Sequence, residues 1–92
     1  MRSLIYFTRE LPGLSEDLSE HGFQVYEALA VSEVLYLSQQ NPTLVVVIDH
    51  TVEPDAANEV AGRRITLRLK KKATVRDVIW ELSALLPHAV VQ

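Results

Sequence analysis

The chain has no cysteine, and only three glycines and four prolines in 92 residues. Without thiols it can form no disulfide, no thiolate metal site and no cysteine nucleophile. The glycines, Gly13, Gly22 and Gly62, stand far apart. No glycine-rich loop can therefore wrap a phosphate, and nucleotide binding of that kind is not expected. No apolar run approaches the roughly 18 residues of a transmembrane helix. The stretch from Met1 to Phe7 is too short and too soon followed by acidic residues for a signal peptide, so a cytoplasmic protein is expected. Aromatic residues make up 7% of the chain, and none is interleaved with its densest basic stretch. Apolar residues at 48% and charged residues at 23% suit one folded domain over residues 1–92. A domain this small buries only about 60% of its unfolded surface, so its stability is modest unless it associates.

The net charge of −3 hides a polarity. Within residues 1–62, ten acids stand against Arg2 and Arg9, a balance of −8. Within residues 63–92, seven basic residues stand against Asp77 and Glu81, a balance of +5. Six of the seven fall in one stretch: Arg63, Arg64, Arg68, Lys70, Lys71 and Lys72. Such a cluster suits nucleic acid or another acidic partner, or else a solvated strand face complementary to the acidic half of this or a second copy. The overall pI near 5.5 and the lack of stacking aromatics favour the solvated face, so nucleic acid is not the expected partner.

The periodicity alternates between strand and helix. Leu4–Phe7 is a buried strand ending before Pro12-Gly13. Leu11, Leu14 and Leu18, with His21 next in the series, outline an amphipathic helix closed by Gly22. Phe23–Ala28 alternates like a half-buried strand. Ser32 is placed as the N-cap of a helix with stripe Val34, Leu35 and Leu37, stopped by Asn41-Pro42. Leu44–Ile48 is the central strand, buried on both faces. Pro54 opens a short helix with Ala56, Ala57, Val60 and Ala61 behind it and Gly62 at its close. Arg64–Leu69 alternates strictly, with Ile65, Leu67 and Leu69 on one face, as an edge strand does. Thr74 and Asp77 form a capping box for a last helix with stripe Val75, Val78, Ile79, Leu82, Leu85 and Leu86, ended by Pro87. Ala89-Val90-Val91 is a short fifth strand or a docked tail. The order β-α-β-α-β-α-β-α predicts a three-layer α/β domain. Its mostly parallel sheet has four strands, with room for a fifth, and helices on both faces.

Three stretches carry a family resemblance. Gly22–Ala28 is similar to the second strand of response-regulator receiver domains. Asn41-Pro42-Thr43-Leu44-Val45-Val46-Val47-Ile48-Asp49 is similar to the receiver segment that ends in the phosphoacceptor aspartate. Leu69-Lys70 through Leu86 is similar to the receiver end, with a lysine, a turn and an amphipathic last helix. The chain thus resembles a shortened, degenerate receiver-like domain of the flavodoxin-like class. The resemblance implies Asp49 as phosphoacceptor and one of Lys70, Lys71 or Lys72 as the lysine contacting phosphate. The departures are as plain. Where receivers carry two acids to hold Mg²⁺, this chain has Thr8-Arg9-Glu10. It has room for four βα units instead of five, and Thr66 lies mid-strand where a strand-end hydroxyl would be needed. A second likeness, of Lys72–Ile79 to the start of the helix in ubiquitin-like sulfur carriers, is set aside. Those carriers have a hairpin before that helix and end in Gly-Gly.

Asp49 stands at the carboxyl end of the central strand, the edge where open α/β sheets bind ligands. Its structural alternative is an aspartate accepting hydrogen bonds from nearby backbone N–H groups. His50 follows it, but neighbours on a strand point to opposite faces, so the two need not meet, and a catalytic histidine is not expected. Trp80 and Tyr36 flank the stripes of their helices, either half-buried against the sheet or exposed as interface anchors. The expected function is a non-catalytic, receiver-like signalling or regulatory domain that acts by protein–protein contact, without cofactor or metal and with its phosphorylation machinery lost. The alternatives are a phosphoacceptor using Asp49 and a nucleic-acid module using residues 63–72. A homodimer is expected through the fourth strand or last helix, with Trp80 near the contact.

Overall fold

Two apolar runs, Leu4 to Phe7 and Val45 to Ile48, lie side by side at the centre of one sheet, with every side chain in them buried. The computed structural model describes residues 2–85. The elements alternate in the order β1 (Arg2–Phe7), α1 (Ser15–Glu20), β2 (Phe23–Ala28), α2 (Val31–Gln40), β3 (Val45–Ile48), α3 (Pro54–Ala61), β4 (Thr66–Arg68) and α4 (Val75–Leu85). The strands pair in parallel in the order β2-β1-β3-β4. This is the α/β architecture read from the sequence, with β3 inside the sheet and β4 at its edge. The register sets Ile5 beside Val46 and Phe7 beside Ile48.

Because successive strand residues face opposite ways, the central strands feed two cores. Leu4, Tyr6, Val45, Val47 and Leu67 pack with Leu18 of α1 and with Val75, Val78 and Leu82 of α4. Ile5, Phe7, Val46 and Ile48 pack with Val34 of α2 and with Ala56, Ala57 and Val60 of α3. Helices α1 and α4 therefore cover one face, and α2 and α3 the other. Each fully buried aliphatic side chain contributes about 1.5–3 kcal/mol relative to exposure.

Local signals account for most element ends. Gly22 takes φ +90° just after α1, and its N–H reaches the Ser19 carbonyl at 3.1 Å. Pro54 sits in the first turn of α3. Asp77 accepts the Thr74 N–H at 2.9 Å, completing the expected box at α4.

Three expectations need correction. Ser32 is not the N-cap of α2. The chain turns helical two residues earlier, with extended Ala30 at the cap, and Glu33 Oε1 accepts the Leu29 N–H at 2.9 Å. Helix α1 starts only at Ser15, because Gly13 at φ +51° breaks the series Leu11, Leu14, Leu18, and His21 falls outside it, exposed. Strand β4 spans three residues instead of six, and Ile65 is 56% exposed, since an edge strand this short leaves its flanks uncovered. Gly62 closes α3 as expected, with right-handed backbone at φ −69°. The fifth strand expected at 89–91 lies outside the described residues.

Candidate functional site

Strands β2 and β4 flank the central pair on opposite sides, so the connections leaving β1 and β3 diverge at their carboxyl ends. That divergence opens the crevice where α/β sheets place ligands. Thr8 and Asp49 are the first residues past β1 and β3. Both continue the ladder by one bond, Thr8 N–H to Ala28 O at 3.1 Å and Asp49 N–H to Phe7 O at 2.8 Å. The ladder thereby aims both side chains at the same spot.

Asp49 is 6% exposed. Its Oδ2 accepts the Tyr6 hydroxyl at 2.9 Å and the Thr8 hydroxyl at 2.8 Å. Its Oδ1 lies 2.6 Å from His50 Nδ1. Thr8 Oγ1 in turn lies 3.0 Å from Thr51 Oγ1 and accepts the Glu10 N–H at 3.1 Å. Thr51 Oγ1 accepts the Arg9 N–H at 2.9 Å. With one proton per hydroxyl, the arrangement that satisfies every group runs from Arg9 N–H through Thr51 and Thr8 to the carboxylate. Tyr6 also accepts the Leu14 N–H at 3.0 Å, tying the start of α1 to the same carboxylate.

Burial pushes the Asp49 carboxyl up. The hydroxyls of Thr8 and Tyr6, the neighbouring His50 charge and the His50 backbone together outweigh it, so the acid is held below its ordinary range. Burial, more than the adjoining carboxylate, pushes the Tyr6 phenol up and keeps it a neutral donor. A β-carbon at Gly13 would stand 2.4 Å from the Tyr6 hydroxyl and 3.0 Å from Asp49 Oδ2. The positive φ and this close approach both require glycine there.

Above the buried carboxylate runs a polar strap. Arg9 Nε and Nη2 hold the two carboxylate oxygens of Glu53 at 3.0 Å each, Nη1 donates to the Leu29 carbonyl, and the guanidinium carbon stands 5.2 Å from the centre of the Phe7 ring. The Glu53 hydrogen bond raises Arg9, and the Arg9 hydrogen bond lowers Glu53, each further into its charged form. The residue standing where a second Mg²⁺ acid would be needed is thus a cation.

These residues do not suit Mg²⁺. The ion needs oxygen ligands in near-octahedral order, usually with one or two carboxylates free to bind it. Here Oδ2 of the single carboxylate carries two hydroxyls, Oδ1 faces an imidazole, and Glu53 is engaged by Arg9. Among the described residues no group of three histidine or acidic side chains could hold a metal.

Two expectations about Asp49 are corrected by this geometry. Its principal side-chain partners are hydroxyls, not backbone N–H groups. It also meets His50, because the chain leaves the strand at Asp49 and a turn begins at His50, so the alternation of a strand no longer applies. Lys70, Lys71 and Lys72 lie past β4, all exposed, and none is a described partner of Asp49. Trp80 on α4 is 76% exposed and Tyr36 on α2 is 62% exposed, on opposite faces of the sheet. Sequence reasoning missed Tyr6 and Thr8 as partners of Asp49. Tyr6 has the pattern of a core residue, and only the β1–β3 register shows where its hydroxyl ends. No helix among the described residues is long and apolar enough to cross a membrane. Comparison with known proteins finds no family model, no curated protein and no solved structure that matches the chain.

Proposed function

We propose that this domain is a receiver-like regulatory module that acts by protein contact, and that Asp49 serves as a structural tie instead of a phosphoacceptor. The supporting observation is the saturation of the carboxylate. A nucleophile attacking phosphorus needs an exposed oxygen lone pair and a cation to neutralise the incoming group. Asp49 is buried, with Oδ2 doubly bonded by hydroxyls and Oδ1 on His50. The outward aromatics give the contact reading its material. Trp80 and Tyr36 offer large apolar surfaces to solvent, as interface anchors do. Self-association through α4 is part of this reading, because Trp80 stands on its outward side.

The deciding experiment adds beryllofluoride with Mg²⁺ while amide shifts around Asp49, Thr8 and Thr51 are followed. No response at millimolar Mg²⁺ is the expected result. Saturable shifts centred on Asp49 overturn the proposal in favour of the phosphoacceptor reading.

A further inference from the structure

We infer that the open edge of β4 is a docking rail for an extended acidic peptide segment, which adds to the sheet as a further strand. The inference rests on the protein-contact reading above and names its surface and partner chemistry.

Among the described residues, strand β4 pairs only with β3. The Val46 N–H bonds the Ile65 carbonyl at 3.0 Å, and the Leu69 N–H bonds the Ile48 carbonyl at 2.8 Å. In a parallel ladder, alternate residues turn their backbone groups to the same neighbour. Residues 65, 67 and 69 therefore face β3, and Thr66 and Arg68 present N–H and C=O outward. Beside this edge lies a groove of about 390 Å³, lined on one side by Leu67, Arg68, Leu69 and Lys70 and on the other by Asp77 and Glu81 of α4.

The topology disfavours a further parallel strand on this edge. Helix α4 lies on the α1 face, whereas α3, which carried the chain outward from β3 to β4, lies on the other. A parallel strand placed outside β4 through α4 would need a left-handed crossover, which occurs in only about 2% of such connections. A second copy is disfavoured by charge. Edge-to-edge pairing of two β4 strands would bring Arg63, Arg64, Arg68 and Lys70 to Lys72 against their own counterparts, the device by which natural edge strands resist self-pairing.

The same six cations favour an acidic strand. Residues 63–76 contain no acid at all. Two acids line the groove, Asp77, turned to the Thr74 N–H at 2.9 Å, and Glu81, against Arg68, Lys70 and Lys72. The fitting partner alternates apolar residues over Leu67 and Leu69 with acids toward Arg68 and the lysine turn. Its main chain pairs with Thr66 and Arg68, the mode called β-strand addition.

The test titrates the full chain with a ten-residue peptide of alternating glutamate and valine. Amide exchange at Thr66 and Arg68 and Trp80 fluorescence are recorded. The expected result is saturable binding, weakened by salt, with exchange at those two amides slowed at least about fivefold. Arg68→Glu and Lys70→Glu, both at exposed positions, should each weaken it about tenfold. Equal binding by a peptide N-methylated along one edge, or by its lysine–valine counterpart, overturns the inference. So does protection by a thymidine oligonucleotide without protection by the acidic peptide, which points to nucleic acid. Absence of any peptide response overturns it too, and leaves the beryllofluoride result standing on its own.

Discussion

Replacing Tyr6 with phenylalanine tests the Asp49 tie most directly, since it removes one oxygen atom and keeps the ring in its core. That oxygen donates to Asp49 Oδ2 at 2.9 Å and accepts the Leu14 N–H at 3.0 Å. A hydrogen bond to a charged group is worth about 1.5–3 kcal/mol, and a partly buried N–H left unpaired adds up to about 1 kcal/mol. The expected loss is about 2–4 kcal/mol, a large share of the roughly 5–14 kcal/mol available to a domain of this length. At about 4–8 °C per kcal/mol, Tm should fall by about 8–32 °C in calorimetry at pH 7. The loss should also depend on pH. Folded Asp49 titrates below its unfolded value of about 3.9. Its stabilisation is complete above that value and disappears as pH falls through the lower folded one. Without the tyrosine hydroxyl, burial regains ground and the folded value rises, so the variant's smaller contribution is lost at a higher pH. The gap between the two proteins should be widest near neutrality and narrow as pH falls below the unfolded value. A Tm within about 2 °C of the parent, or a gap that does not narrow at all as pH falls from neutrality through and below the unfolded Asp49 value, would refute the idea that a charged Asp49 ties the sheet together.

Gly13→Ala forces a side chain into positive φ and onto the Tyr6 hydroxyl. It should cost at least about 1–3 kcal/mol by urea denaturation, and an unchanged midpoint would mean the close approach is not maintained. Val46→Asp puts an unpaired carboxylate between two covered faces and should abolish folding, whereas Arg68→Ala should change stability by no more than about 0.5 kcal/mol. Similar melting curves for those two would show that β3 is not the central strand. Light scattering over a concentration series should show a species heavier than 10.4 kDa that survives about 0.5 M NaCl if α4 forms the contact. A 10.4 kDa species at every concentration up to the millimolar range would exclude the dimer.

The layout of elements was legible because burial on two faces leaves unbroken apolar runs, as in Val45–Ile48, and burial on one face leaves periodic ones, as in Val75 to Leu82. Caps were legible where chemistry is local, at Pro54, Gly22 and the Thr74–Asp77 box. Ser32 misled because Ala30 takes the extended cap conformation without any side chain to announce it. Ile65 misled because alternation assumes that the strand continues, and β4 ends after three residues. The candidate site was half legible. Asp49 and its strand end could be read, but what surrounds them depends on register between strands far apart in sequence. The Tyr6 hydroxyl and the Arg9–Glu53 pair leave no local pattern.

The Thr8–Asp49 and Tyr6–Asp49 bonds join residues 41 and 43 positions apart. Between them lie α1, β2 and α2, the length of chain that the β1–β3 pairing closes over. Bringing such distant segments together carries a loop-closure cost that local helix formation does not, and contacts of this separation slow the folding of small domains. The aspartate tie therefore requires that β3 has reached β1. A nascent chain that has made only its first βα units holds the Tyr6 and Thr8 hydroxyls without the carboxylate they donate to. The same order applies in reverse, since parting Asp49 from its hydroxyls means separating the two innermost strands. Amide exchange at Asp49, whose N–H bonds the Phe7 carbonyl, should therefore follow the opening of the whole domain instead of the fraying of its edges.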